Sequence, residues 1–117
     1  MKDKIVYLDD EHKYPIIFTL NVMEKIQEEY GSLNAWKQKI FIDDENKEPE
    51  IKDILFGLTE MVNEGIEILN EENSSSLPYV TKKKVGRIIT QIGLDGSIKK
   101  LGESIINANK TDTPKNE

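Results

Sequence analysis

The stretch IKDILFGLTEMVNEGIEILN, residues 51–70, decides the fold of this chain, because it carries the clearest helical pattern in the sequence. Apolar residues recur there at intervals of three and four, which places them on one face of an α-helix. These apolar residues are Ile51, Ile54, Leu55, Leu58, Met61, Val62, Ile66 and Leu69. The opposite side carries Lys52, Asp53, Glu60, Asn63, Glu64, Glu67 and Glu71. The pattern predicts one long central helix that forms the backbone of the core.

Two glycines interrupt this predicted helix. Each of Gly57 and Gly65 costs about 1 kcal/mol relative to alanine in a helix interior. We therefore expect another part of the chain to pack closely against each of them.

The residues before this helix predict a β-hairpin and two short helices. Two β-prone runs, Ile5 to Leu8 and Tyr14 to Leu20, flank the polar stretch 9–13, which suits a hairpin loop. Pro15 has no backbone donor, so it belongs near the start of the second strand or faces away from its partner.

The first helix should begin at Asn21, with Glu24 three residues later completing a capping box, and should end at Gly31. Ser32 can cap a second short helix, along which Leu33, Trp36 and Ile40 recur at helical spacing. The acidic loop 43–50 follows, with Pro49 suited to the first turn of the long helix.

Two further helices are predicted after the long one. Thr81 can cap the first of them, which Gly93 and Leu94 end in a Schellman motif. Asp95 or Ser97 should start the last helix. The sequence thus predicts an α+β fold that is mainly α: an N-terminal β-hairpin followed by about five helices, two short, one long and central, and two C-terminal. Residues 1–107 should form a single globular domain, and residues 108–117 a flexible C-terminal tail.

Composition narrows the classes of function. The net charge is −6, and nucleic-acid binding depends on clustered cations, so nucleic acid is a poor first expectation. The chain has no cysteine, which excludes disulfides and thiolate metal sites. No segment approaches the roughly 20 apolar residues of a membrane span, and the first ten residues lack the apolar run of a signal peptide. We expect a cytoplasmic protein that does not enter a membrane.

Motifs for catalysis or cofactor binding do not emerge from the sequence. His12 is the only histidine and lies in the predicted hairpin loop, where solvation is the simpler interpretation. The acidic runs 9–11 and 43–45 lack the alternating ligands and the glycine of an EF-hand loop. No phosphate-binding glycine motif is present. The sequence therefore predicts no catalytic residue, no metal site, no cofactor and no enzymatic activity.

Two features leave alternatives open. The basic residues Lys82, Lys83, Lys84 and Arg87 fall in the first turns of a helix, where the macrodipole disfavours positive charge. They either pair with acidic residues of the long helix, namely Glu64, Glu67, Glu71 and Glu72, or form a docking patch for an acidic partner. Trp36 is either a core residue, which so small a domain favours, or an interface anchor.

The order of these elements and three of their motifs resemble the tail assembly chaperones of long-tailed bacteriophages and of prophages of Gram-positive bacteria. The motifs are KIQEEYGSL at 25–33, NEGIEI at 63–68 and VGRIITQIGL at 85–94, and the resemblance covers residues 5–106. It implies a non-catalytic protein of the host cytoplasm, absent from the mature virion, that binds the tape-measure protein and helps to recruit tail-tube subunits.

We expect a partner-binding or self-association surface formed by Trp36, Ile40, Phe41, Lys82, Lys83, Lys84 and Arg87. The alternative function is a small regulatory DNA-binding protein of a mobile element that uses the two C-terminal helices. Against it, Ile89 lies four positions before the turn glycine, where DNA-binding helix pairs normally carry a small residue.

Overall fold

A computed structural model describes residues 1–110 of the chain. Within that range an antiparallel two-stranded hairpin precedes five α-helices, and this confirms the mainly α fold predicted from sequence. A short 3-10 turn, Lys2–Lys4, comes first. The strands are β1 (Val6–Tyr7) and β2 (Pro15–Ile16), and the helices are α1 (Leu20–Tyr30), α2 (Leu33–Ile40), α3 (Ile51–Asn73), α4 (Lys82–Ile92) and α5 (Leu94–Ala108). None of these helices is long and apolar enough to cross a membrane.

The long helix α3 is the centre of the structure, as its apolar pattern predicts. It spans 23 residues, or about 34 Å at a rise of about 1.5 Å per residue. Strand β2 and helices α1, α2 and α4 all pack against it, while α5 packs on α4 and β1. The fully buried face of α3 consists of Ile54, Leu58, Met61 and Val62, so burial of this stripe is what holds the other elements together.

Both glycines of α3 are places of close approach, which confirms the expectation from sequence. A side chain at Gly57 would overlap the indole ring of Trp36, and a Cβ at Gly65 would lie 3.0 Å from Cβ of Pro15. Pro15 opens β2 and pairs with Tyr7, at the strand start where a proline is tolerated. Glycine at these two positions lets α2 and the hairpin sit directly on the α3 backbone.

The start of α1 differs from the sequence prediction. The second strand ends at Ile16 and not at Leu20, and the N-cap of α1 is Thr19 and not Asn21. Thr19 is extended, and its Oγ1 accepts a hydrogen bond from the amide of Val22. A carboxylate oxygen of Glu64 in α3 accepts hydrogen bonds from the Thr19 hydroxyl at 2.7 Å and from the Asn21 side chain at 3.0 Å. A contact distant in sequence thus fixes both side chains, with Thr19 as the cap and Asn21 inside the helix.

The caps of α2 and α4 are those predicted. Ser32 accepts a hydrogen bond from the amide of Ala35 at 3.0 Å, and Thr81 accepts one from Lys84 at 3.1 Å. Gly31 ends α1 with a φ of 86°, a conformation that favours glycine. Pro49, however, lies before the N-cap of α3, which is Glu50, and so is not in the first helical turn.

The last two helices join more tightly than the sequence predicts. Gly93, with a φ of 113°, is both the C-cap of α4 and the N-cap of α5, so α5 begins at Leu94 and not at Asp95 or Ser97. Ser97 is therefore not a cap. It is a buried residue within α5, and its hydroxyl donates a hydrogen bond to the Gly93 carbonyl at 2.8 Å. Helix α5 includes Ala108, one residue past the predicted domain boundary, and residues 111–117 of the predicted tail lie outside the described part of the chain.

Asp53 is buried although the sequence places it on the solvated side of α3. Only 1% of the residue is exposed. Its Oδ1 accepts a hydrogen bond from the Tyr30 hydroxyl, and its backbone carbonyl accepts one from Nε1 of Trp36 at 3.0 Å. Burial, and next the hydrogen bond to the Asp53 carboxylate, raise the pKa of Tyr30 above its usual range. Helices α1 and α2 therefore close over a residue that helical periodicity alone assigns to the surface.

Two asparagines of α3 hold the segment that leads to α4. Asn63 donates to the carbonyl of Val80 at 2.9 Å and accepts from its amide at 2.8 Å. Asn70 makes the same pair of hydrogen bonds to Leu77, at 3.0 Å and 2.8 Å. Because these amide groups satisfy the backbone of a segment without regular secondary structure, they fix where α4 begins along α3.

Candidate partner-binding groove

An open groove lies between the first turns of α3 and the length of α4. Its volume is about 910 Å³, the largest of the depressions described in residues 1–110. The residues that line it are Ile51, Ile54, Leu55, Lys82, Lys83, Gly86, Arg87, Ile89, Thr90 and Leu94.

The floor of the groove is apolar and is continuous with the core. Ile54 and Ile89 are buried, while Leu55 and Leu94 are half-buried. Ile51, the first residue of α3, is 49% exposed. The groove therefore exposes part of the apolar stripe of α3 where no other described element covers it.

Gly86 opens the wall that α4 contributes. It lies in the interior of α4, one turn after Lys82 and one turn before Thr90, and carries no side chain that would fill the space between the helices. A Cβ at this position would approach only Cδ1 of Leu55, at an ordinary contact distance of 3.7 Å. The glycine is thus not required for packing, in contrast to Gly57.

The rim of the groove is basic. Lys82, Lys83 and Arg87 are exposed, and none of them forms an ion pair with another residue in the range 1–110. The first turn of α4 contains no acidic residue, so the positive end of its macrodipole adds to these charges. The groove therefore combines an apolar floor with a concentrated positive potential on one side.

The predicted internal pairing of this basic run is wrong for the part of the chain that the structure describes. Glu64 instead accepts hydrogen bonds from the α1 cap region, and Glu72 lies 3.8 Å from the amino group of Met1. Both carboxylates belong to the second half of α3, whereas the groove borders its first turns. Distance along the helix is the physical reason that these charges do not meet.

Of the seven residues expected at a partner surface, Lys82, Lys83 and Arg87 come together at the groove, and the other four do not line it. Lys84 is exposed beside them but lies outside the groove. Phe41 is 39% exposed and lines a separate depression of about 360 Å³ between α2, the loop that follows it and the start of α5.

Trp36 and Ile40 lie in the core, with exposed fractions of 0% and 2%. The interpretation of Trp36 as a core residue is confirmed: its ring stacks on Phe18 with centroids 6.2 Å apart and lies against Gly57. Their burial corrects the expectation that these two side chains reach a partner, and only Ile40 borders a depression, the one that Phe41 lines, in residues 1–110.

Sequence reasoning missed Ile51, Leu55, Gly86, Thr90 and Leu94 as groove residues. The apolar stripe of α3 identifies Ile51 and Leu55 as buried, but periodicity does not show that the stripe extends beyond the elements that cover it. Gly86 was a sequence signal, because a glycine in a helix interior needs a packing or functional reason.

The hairpin loop brings three metal-ligating side chains together. Ligand atoms of Asp9, Glu11 and His12 lie within 4.8 Å of one another. Oδ2 of Asp9 is 2.8 Å from Nδ1 of His12, and Oδ1 accepts from the amides of His12 and Lys13. The hydrogen bond between the two side chains raises the pKa of His12 and lowers that of Asp9. These hydrogen bonds close the loop between the two strands, and this closure explains why Asp9 and His12 lie together.

Comparison with protein-family models, with curated proteins and with solved structures finds no match to this chain.

Proposed function

We propose that this protein is a non-catalytic tail assembly chaperone of a long-tailed phage or prophage, which binds the tape-measure protein and assists the recruitment of tail-tube subunits. The observation that carries the proposal is the groove, an open apolar surface with a basic rim. An open surface of this kind suits a macromolecular partner, whose binding would bury the exposed apolar area.

One of the three motifs behind the resemblance contributes residues to the groove. VGRIITQIGL, residues 85–94, supplies most of the α4 wall of the groove through Gly86, Arg87, Ile89 and Thr90, and its last residue, Leu94, lines the groove from the start of α5. KIQEEYGSL forms the junction of α1 and α2, and NEGIEI forms the part of α3 that contacts the hairpin. One of the three motifs thus forms binding surface and two of them form scaffold.

The physical properties of the chain suit a protein that keeps a long helical partner soluble. The net charge of −6 opposes aggregation of the complex. Several copies along one partner would convert weak contacts into strong overall binding, since each bound copy raises the effective concentration of the next site. The protein acts in the host cytoplasm and leaves before the virion is complete.

Co-expression tests the proposal. The proposal expects a gene for a long helical tape-measure protein downstream of this chain and a tail-tube gene upstream, and the tape-measure protein is the partner to co-express. Wild-type protein should keep the tape-measure protein in the soluble fraction, and Ile51→Asp should lose this effect, because a carboxylate in the apolar floor opposes burial. Lys99→Glu, an exposed α5 position outside the groove, is the control.

Two outcomes would overturn the proposal. One is a tape-measure protein whose solubility is the same with wild type, with Ile51→Asp and with no chaperone. The other is a gel shift of random duplex DNA at low salt, which would favour the regulatory DNA-binding alternative. In α5, Lys100 lies 3.6 Å from Glu103, so part of the positive charge of the two C-terminal helices is already neutralised.

A further inference from the structure

The length of the groove sets the size of what it binds. Its α4 wall is the helix Lys82–Ile92, whose 11 residues span about 16 Å at the helical rise of about 1.5 Å per residue, and Leu94 of α5 lies at the end of this wall. Three turns of an α-helix span about 16 Å. A helix of three turns laid along α4 would therefore cover the apolar floor from end to end.

The charges of the rim set the chemistry of the occupant. Lys83 and Arg87 are four residues apart, so they follow one edge of α4, while Lys82 is rotated by about 100° from Lys83 and lies at the N-terminal end of the groove. None of the three has an ion-pair partner in residues 1–110. An occupant with carboxylates along the same edge would bring complementary charges together, and one with lysines there would be repelled.

A second copy of this chain does not supply such a helix from its described residues. The large apolar side chains exposed on its helices are Leu20 in α1, Ile51 in α3 and Ile106 in α5, so each of these three helices carries one. A ridge across three turns needs apolar residues at three or more helical positions. The described surface therefore favours a helix from another protein.

We infer that the groove binds a three-turn amphipathic helix of another protein, with an apolar ridge on the floor and glutamates or aspartates along the edge that meets Lys83 and Arg87 and at the end that meets Lys82. This inference rests on the proposed function, because it specifies the chemistry of the partner that the same groove binds.

Three fluorescent helical peptides test the inference. They share one leucine ridge and differ only along one flanking edge, which carries glutamate, glutamine or lysine. At low salt the glutamate peptide should bind about tenfold more tightly than the glutamine peptide, as expected for three exposed charge pairs, and the lysine peptide should bind most weakly. Raising the salt from about 0.05 M to about 0.5 M should remove most of these differences by screening.

Variants locate the binding. The double variant Lys83→Glu, Arg87→Glu should reverse the order of the glutamate and lysine peptides. Its control is Lys25→Glu, Lys99→Glu, which makes the same change of net charge at exposed positions outside the groove and should keep the order. Ile51→Asp should weaken all three peptides.

Equal binding of the three peptides, or an order that the groove variant leaves unchanged, would overturn the inference. So would sedimentation showing that the protein self-associates and that Lys83→Glu, Arg87→Glu abolishes this, because the occupant would then be a second copy. These failures are separable from failure of the proposed function, which is measured by the effect of Ile51→Asp on tape-measure solubility.

Discussion

Gly57 in α3 and Gly86 in α4 each face a side chain of another helix, but substitution by alanine should have opposite effects at the two positions. Gly57→Ala should lower the free energy of unfolding, and Gly86→Ala should raise it. Both changes gain about 1 kcal/mol because alanine has the higher helix propensity. They differ in what the new methyl group meets, which is the Trp36 ring at Gly57 and only the Cδ1 of Leu55, at 3.7 Å, at Gly86.

The magnitude at Gly57 follows from how firmly Trp36 is held. Its Nε1 donates to the carbonyl of Asp53 at 3.0 Å, and its ring stacks on Phe18 in a fully buried position. The ring has no free space to move into, so overpacking should cost about 1 to 3 kcal/mol and exceed or cancel the propensity gain. Gly86→Ala has no such cost and should stabilise the protein by about 0.5 to 1 kcal/mol.

Urea unfolding followed by circular dichroism, with tryptophan fluorescence as a second probe, measures both variants against wild type. The free energies of unfolding of the two variants should differ by about 1 to 3 kcal/mol, with Gly86→Ala the more stable. Equal stability, or a Gly57→Ala protein more stable than wild type, would refute the packing of Trp36 against the α3 backbone.

Further predictions concern polar contacts. Asn63→Ala should lower the free energy of unfolding by about 1 to 2 kcal/mol in urea titrations, because two hydrogen bonds to the segment before α4 are lost. Tyr30→Phe should cost about 2 kcal/mol by the same assay, since the buried Asp53 carboxylate loses its donor. Because the pKa of Tyr30 is raised, its contribution is present below its ordinary pKa of 10.0 and is lost as pH rises beyond it, so wild type should lose stability more steeply than Tyr30→Phe in alkali. NMR titration should give His12 a pKa above 6.5, and Asp9→Asn should return it towards that value. The stability that His12 contributes is present below pH 6.5 and is lost as pH rises through its raised pKa in the folded protein. The stability that Asp9 contributes is present above its ordinary pKa of 3.8 and is lost as pH falls through its lowered pKa.

Local sequence was sufficient for much of the fold, because the interactions involved join residues only a few positions apart. Apolar spacing predicted the long helix α3, and the caps at Ser32 and Thr81 were recognisable because each contacts an amide three residues away. The glycine end at Gly31 followed from the backbone freedom of glycine. The basic run of α4 was visible as a cluster, but without its surroundings.

Tertiary structure decided what those features do, because the deciding contacts join residues far apart in the chain. Glu64 of α3 accepts a hydrogen bond from Thr19, the cap of α1, although the two residues are 45 positions apart. Asp53 is buried and accepts a hydrogen bond from Tyr30, 23 positions away in the sequence, although the periodicity of α3 places Asp53 on the solvated side. The groove exists because α4 packs beside the uncovered end of the α3 stripe. There, lysines and an arginine without an ion-pair partner in residues 1–110 meet apolar residues that the sequence assigns to the core. Periodicity specifies which face of a helix is apolar, but only the packing of the other elements determines how much of that face remains open to a partner.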